Sequence, residues 1–167
     1  RDLVINGSGK LTVLSPAGKG ISCKDNLILT GGTLDIQSAF HGLDANDSLR
    51  VTGVSATVAA GMDGIHCENN TDTDFGYVYI SYGTFDIDAA GDGIAAGAWL
   101  QIIDGSFTLL TGSGHENGKD HADNWGGFPG GPGGKATTDT DSASMKGIKA
   151  ATGMLLAVYL CGKWSKR

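Results

Sequence analysis

The chain of 167 residues has little of what most function classes require. Its 12 Lys and Arg residues form no cluster and are outnumbered by 18 Asp and Glu residues, so a nucleic-acid partner is not expected. No apolar run approaches the roughly 20 residues of a membrane-spanning helix. Three cysteines are too few for a disulfide scaffold, and no phosphate-binding loop, nucleophile triad or zinc-ligand spacing is visible.

Glycine, in contrast, is abundant and regularly placed. The 28 glycines follow no collagen period, and many stand at the ends of β-patterned runs, where they indicate turns. Five of them precede Ile or Leu, at intervals of 22, 22, 29 and 54 residues. These pairs are Gly20-Ile21, Gly42-Leu43, Gly64-Ile65, Gly93-Ile94 and Gly147-Ile148. The intervals indicate one unit of 22 residues with insertions of seven and about 32 residues.

Aligning the pairs places the following residues in columns. One column holds Leu27, Leu49, Val78 and Leu100, and the next apolar column holds Leu29, Val51, Ile80 and Ile102. Period-two alternation broken by glycine at fixed offsets predicts about three short strands per unit. Stacked units of this length predict an all-β, right-handed parallel β-helix, a solenoid with one unit per turn. The alternative is a β-sandwich of antiparallel hairpins, which gives no reason for columns 22 residues apart.

The same alignment predicts the domain organisation. We expect one β-helix domain over residues 1–167, a piece of a longer solenoid because the chain begins at Arg1 inside a β-like pattern. The Gly-, Asp- and Thr-rich segment 112–145 is predicted to be a flexible loop insertion. It contains His115, Asp120 and His121, which could collect a metal but have no fixed geometry. Residues 151–167 depart from the repeat and form an atypical C-terminal end.

Acidic residues recur beside the glycine pairs. Asp63 and Asp92 share a column, so stacking at about 4.8 Å brings two carboxylates together, where a cation would neutralise them. Calcium suits this role because it takes several oxygen ligands, and Asp44 supplies a further carboxylate nearby. His41 replaces an acid in the same column, which weakens a site between the second and third repeats. The alternative is that these aspartates serve only the turn geometry.

A second candidate site lies on the outer face of the following strand. Ile28, Arg50, Tyr79 and Gln101 are predicted to form one ladder there. Arg50 can bond a carboxylate in bidentate fashion, and Tyr79 offers a flat face and a hydroxyl. Arg50, Tyr79 and Gln101 are therefore predicted to bind sugar, unless the ladder is merely solvated.

Three phrases of the chain carry a family resemblance: GLDANDSLRVTG, AAGDGIAAGAWLQI and DSASMKGIKA. Together they resemble secreted bacterial carbohydrate-binding domains with a right-handed parallel β-helix related to pectate lyases. The resemblance implies calcium binding, with Asp63 and Asp92 as the first candidate ligands and Asp44 as the next. It also implies cellulose or polygalacturonate as the ligand and an extracellular or cell-surface location.

We therefore expect a monomeric, non-catalytic protein that binds plant cell-wall polysaccharide, either cellulose or pectin, with calcium. The alternative from the enzyme class is a calcium-dependent, pectate-type polysaccharide lyase. Such a lyase needs a base beside a calcium-bound uronate, and Arg50, Lys24 and Lys149 are the candidates. A third possibility is a structural, adhesin-like solenoid without a sugar site.

Overall fold

The computed structural model describes residues 1–69, 71–112 and 145–157, and all regular structure in these ranges is β-strand. The strands are β1 (Leu3–Asn6), β2 (Lys10–Ser15), β3 (Ile21–Cys23), β4 (Asn26–Thr30), β5 (Thr33–Ser38), β6 (Leu43–Ala45), β7 (Ser48–Ala60), β8 (Ile65–Cys67), β9 (Tyr77–Ala89), β10 (Ile94–Ala96), β11 (Trp99–Ile102), β12 (Ser106–Thr111), β13 (Ile148–Ala150) and β14 (Gly153–Leu156). Within these ranges the structure contains no helix long and apolar enough to cross a membrane.

The strands form two sheets, and every pairing is parallel. The nine-stranded sheet has the order β1-β4-β7-β9-β11-β14, with β2 and β5 joined through β7 and with β12 joined to β9. The five-stranded sheet has the order β3-β6-β8-β10-β13. Parallel pairing of all the described strands excludes the antiparallel sandwich.

Strand register confirms the columns predicted from the repeat. Leu27 pairs with Leu49, Leu49 with Val78, and Val78 with Leu100, and all four side chains are buried. In the five-stranded sheet the aliphatic residues of the glycine pairs lie in register in the same way: Ile21, Leu43, Ile65, Ile94 and Ile148. Equivalent residues of successive repeats therefore stack on one another and form a continuous apolar core.

The glycines of the first four pairs are required by close packing. A Cβ atom on Gly42 would lie 2.3 Å from Cγ1 of Val58 and 2.7 Å from the carbonyl oxygen of Gly64. At Gly64 the corresponding distance to Cγ2 of Ile87 is 2.3 Å. At Gly42 and Gly64 the backbone therefore packs directly against a core side chain of the long strand that follows, which leaves no room for a side chain.

The seven extra residues of the third repeat lie in a connection between strands. Residues 68–76 connect β8 to β9, whereas only residues 46–47 connect β6 to β7, which confirms the predicted insertion of seven residues. Between β7 and β9 the register also shifts, so that Thr52 pairs with Tyr82.

The longer insertion and the C-terminal end are described only in part. Of the predicted loop 112–145, residues 113–144 lie outside the described residues. Of the predicted atypical end, Gly153–Leu156 still pairs in parallel with β11, so the repeat extends to Leu156. Residues 158–167 lie outside the described residues.

Candidate functional site

The ladder predicted on the nine-stranded sheet is present. Arg50 pairs with Tyr79, and Tyr79 pairs with Gln101. These three residues line a shallow cavity of about 190 Å³ together with Tyr77, Val78 and Trp99. We call Arg50, Tyr77, Tyr79, Trp99 and Gln101 the platform. It combines one cation, one amide and three aromatic rings on an outward face.

Trp99 is the most exposed residue of the platform. Its side chain is 58 % exposed, although Trp is usually well buried. The ring lies over Gly153 of the neighbouring strand, where a Cβ atom would be only 2.2 Å from Cζ3. Glycine at this position gives the indole ring a flat support on the sheet. The outer face of the ring is left open to solvent.

Arg50 has no carboxylate partner among the described residues. None of their ion pairs includes it, and its buried Nε atom has no hydrogen-bond partner. The charge of Arg50 acts on the carboxylate of Asp2 from a distance, but Arg50 makes no close ion pair, so its terminal nitrogens can bind an external anion. The platform therefore carries a positive charge beside aromatic surface.

A different arrangement lines the turns before three short strands of the five-stranded sheet, β6, β8 and β10. Here one side chain accepts a hydrogen bond from the backbone of the next repeat. The N–H of Asp63 donates to Nδ1 of His41 (3.3 Å), and the N–H of Asp92 donates to Oδ1 of Asp63 (2.8 Å). The N–H of Lys146 donates to Oδ1 of Asp92 (2.7 Å). His, like Asp, can fill this column because it also offers an acceptor.

Asp44 lies on the outward face of the same sheet, between Ser22 and His66. Lys19 Nζ (2.7 Å) and Ser22 Oγ (2.8 Å) donate to its Oδ2, and His66 Nδ1 lies 3.1 Å from its Oδ1. Burial alone would raise the pKa of Asp44, but the hydrogen bonds from His66, Lys19 and Ser22 outweigh it and lower the pKa to about 2. Asp44 is thus a buried, fully engaged carboxylate.

His41 and His66 stack on each other above Asp63. Their ring centroids are 4.1 Å apart, and the ring planes differ by 12°. Burial, followed by the charge of His66, lowers the pKa of His41. Burial also opposes protonation of His66, but the hydrogen bond to Asp44 and the nearby carboxylates outweigh it and raise the pKa of His66. One ring therefore favours the neutral form and the other the charged form.

The two rings and Asp63 bring metal-ligating atoms together. One ligand atom from each of His41, Asp63 and His66 lies within 4.8 Å of the others, which makes a possible metal site. We call these three residues the histidine–aspartate cluster. His41 was expected to weaken a metal site in this column, but it contributes a ligand atom to one.

The three predicted calcium ligands lie on one face of the five-stranded sheet, but each has protein partners. Asp44 is engaged as described above, and Asp92 binds the Lys146 backbone and lies 3.6 Å from Lys149 Nζ. The carboxylate of Asp63 lies near the rings of both His41 and His66. Calcium ligation by the three aspartates stays a prediction. His66 was missed, although it follows its aliphatic residue just as Asp44 does, which was the available signal.

These features define an all-β protein of parallel stacked repeats with a polar and aromatic platform. The family model for "Carbohydrate-binding domain-containing protein" matches residues 1–158, so the chain belongs to that family. No curated protein matches the chain.

Among solved structures, the chain is similar to a polysaccharide lyase-like protein from C. thermocellum, studied as a gadolinium derivative. The two share 24% sequence identity with a TM-score of 0.68. The match covers 92% of this chain and 49% of the other, so the chain spans about half the length of that protein. The likeness concerns the fold.

Proposed function

We propose that this protein is an extracellular, non-catalytic module that binds a plant cell-wall polysaccharide on the platform. The observation that carries the proposal is the cavity formed by Arg50, Tyr79 and Gln101 with Trp99. Open aromatic rings suit the apolar faces of sugar rings, while Arg50 and Gln101 can hydrogen-bond sugar substituents. The family membership supports carbohydrate as the ligand class.

The fold that we propose for this module is a right-handed parallel β-helix related to pectate lyases. Parallel pairing of residues 22 positions apart supports it, because Leu27 pairs with Leu49 and Ile21 with Leu43. A chain that alternates between the two sheets and returns in register after each repeat follows a coil. The TM-score of 0.68 to the polysaccharide lyase-like protein is further support.

The ladder geometry favours an extended polymer over a free monosaccharide. Arg50, Tyr79 and Gln101 occupy three successive strands, which are about 4.8 Å apart. A polysaccharide lying across the strands would thus meet a new side chain at each step. Because the cavity is shallow, affinity must come from several such contacts along the chain.

Arg50 directs the proposal towards acidic polymers such as polygalacturonate, with cellulose as the neutral alternative. A bidentate guanidinium–carboxylate pair is stronger than a neutral hydrogen bond and selects a carboxylate by its shape. We propose that calcium assists by bridging uronates to protein carboxylates, with Asp63, Asp92 and Asp44 as candidate ligands. Asp63 is the most accessible of them, since its side chain is 18 % exposed against 11 % and 9 % for Asp92 and Asp44.

Replacing Arg50 by Ala tests the platform. We expect binding to polygalacturonate to weaken by about tenfold or more, because a charge-assisted hydrogen bond contributes roughly 1.5–3 kcal/mol. Binding is measured by affinity electrophoresis or by depletion from a pectin gel, with insoluble cellulose in parallel. Lys24→Ala is the matched control, because it removes an exposed positive charge outside the platform. Equal losses in both variants would show that only net charge matters and would contradict the proposal.

Two further measurements separate the remaining alternatives. If calcium bridges the polymer, chelation and the Asp63→Ala plus Asp92→Ala variant should each weaken binding to polygalacturonate but not to cellulose. If the protein is a lyase, incubation with polygalacturonate and calcium should produce the ultraviolet absorbance of an unsaturated product. We expect no such absorbance, and its appearance would overturn the non-catalytic assignment.

A further inference from the structure

We propose that the histidine–aspartate cluster of His41, Asp63 and His66, completed by Glu68, is a site for a first-row transition-metal ion such as Zn²⁺. The cluster is built on the five-stranded sheet and the turns that precede its strands, whereas the platform belongs to the nine-stranded sheet. The proposal therefore does not depend on sugar binding at the platform, and it assigns Asp63, also a candidate calcium ligand, to a zinc ion together with the two histidines.

The separations between ligand atoms match the needs of zinc. Two ligands of a tetrahedral zinc ion lie about 3.3 Å apart when each bond is about 2.0 Å long. Nδ1 of His41 lies 3.4 Å from Oδ2 of Asp63, and Nε2 of His66 lies 3.3 Å from Oε2 of Glu68. A third separation, from Nε2 of His66 to Oδ2 of Asp63, is 4.0 Å. Side-chain rotation is therefore needed to bring all four ligands around one ion.

Asp44 sets the orientation and tautomer of His66. Its Oδ1 lies 3.1 Å from Nδ1 of His66, so Nδ1 can donate its hydrogen to the carboxylate. When an ion displaces the second proton of the ring, the lone pair of Nε2 faces Asp63 and Glu68. A carboxylate on the far nitrogen of a ligating histidine is the usual outer partner in protein zinc sites.

The ligand set separates this site from a calcium site. Calcium takes oxygen ligands almost entirely, whereas imidazole nitrogens with one or two carboxylates suit zinc and its neighbours in the first transition row. The side chains of His66 and Asp63 are 19 % and 18 % exposed, and Glu68 is 47 % exposed. An ion can thus reach the cluster from solvent, and Glu68 is free to close over it.

Metal binding should open the histidine stack. An ion bound to an imidazole lies near the plane of that ring, and two nearly parallel rings 4.1 Å apart cannot share one ion in both planes. One ring must therefore rotate about its Cβ–Cγ bond. If the His41 ring is the one that moves, the ion replaces the Asp63 N–H as the partner of Nδ1.

The test uses the full, metal-free chain. Equilibrium dialysis against Zn²⁺ followed by elemental analysis should give a bound ion that is lost, or bound at least tenfold more weakly, in His41→Ala and in His66→Gln. Asp44→Asn should weaken zinc by roughly 10–100-fold, the usual effect of removing an outer partner. Excess Ca²⁺ should not displace the ion.

Two controls separate this site from other histidines and from misfolding. The chain also contains His115 and His121, and the double variant His115→Ala plus His121→Ala should keep the zinc bound at the cluster. In the unmodified protein, the ring resonances of His41 and His66 should shift when Zn²⁺ is added, which requires no substitution. Unshifted His41 and His66 resonances, undiminished zinc in the folded His41→Ala plus His66→Gln variant, or displacement by equimolar Ca²⁺ would overturn the proposal.

Discussion

The platform and the Asp44 network show how one repeat produces two very different surfaces. On the nine-stranded sheet, Arg50 has no ionic partner among the described residues, and Trp99 is open to solvent. On the five-stranded sheet, Asp44 has Lys19, Ser22 and His66 as partners. The difference arises because the second ladder places Asp44 directly beside Ser22 and His66, with Lys19 of the adjacent turn also within reach, whereas the ladder of Arg50 contains no acid.

This comparison separates groups that stabilise the protein from groups that are available to a ligand. A buried carboxylate with three donors already makes its hydrogen bonds and ion pairs within the folded protein, so a ligand adds little to them. An arginine without a partner gains an ion pair only when an anion arrives. We therefore expect substitution of Asp44 to change stability and substitutions on the platform to change binding.

The largest effect is expected for Asp44→Ala in metal-free protein. The substitution leaves the Lys19 and His66 donors without their acceptor, so the free energy of unfolding should fall by about 2–3 kcal/mol. Urea denaturation in the presence of a chelator measures it. Asp86→Ala removes an exposed carboxylate and should change stability by less than about 0.5 kcal/mol. Cellulose binding of folded Asp44→Ala should be unchanged, and a loss of cellulose binding as large as that of Trp99→Ala would contradict the comparison.

A smaller effect, confined to binding, is expected for Trp99→Ala. Loss of the exposed ring should weaken binding to both cellulose and polygalacturonate by about 1–2 kcal/mol, because aromatic anchors dominate such interfaces. Stability should hardly change, since the ring is 58 % exposed. Tyr82→Ala, which removes an aromatic ring that is 53 % exposed outside the platform, is the matched control. Binding losses of the same size in both variants would argue for nonspecific adsorption.

The smallest effect is expected from salt. Raising NaCl from roughly 0.05 to 0.5 M shortens the Debye length, so the pairing of Arg50 with a uronate should weaken by less than about 1 kcal/mol. Binding to neutral cellulose should stay constant in the same titration. The stabilising effect of Asp44 should also stay constant, because its side chain is only 9 % exposed and ions cannot screen it well. A parallel decline of both would contradict the distinction between the two surfaces.

Much of the fold follows from the spacing of glycine and aliphatic residues. The columns through Leu27 and Ile21 were predictable because parallel strands place equivalent residues of successive repeats side by side. The insertion of seven residues was also visible as an interval of 29. The register shift that pairs Thr52 with Tyr82 was not, since a local bulge leaves the overall period unchanged.

The candidate sites were predictable only along a single column. Arg50, Tyr79 and Gln101 were expected together because they share one register, and the structure places them together. Contacts between columns were harder to foresee. The approach of His66 to Asp63 depends on how the turn folds back beside the strand, and the stacking of His66 on His41 depends on side-chain rotamers.

The sequence by itself determined the repeat length, the apolar core and the residues that share a ladder, because stacking in register depends only on the spacing of residues along the chain. The tertiary structure decided which polar groups satisfy one another. It engages Asp44 with Lys19 and leaves Arg50 without an ionic partner among the described residues. The physical reason is that hydrogen bonds and ion pairs depend on distances of a few tenths of an ångström, and only the folded turns set distances between neighbouring columns.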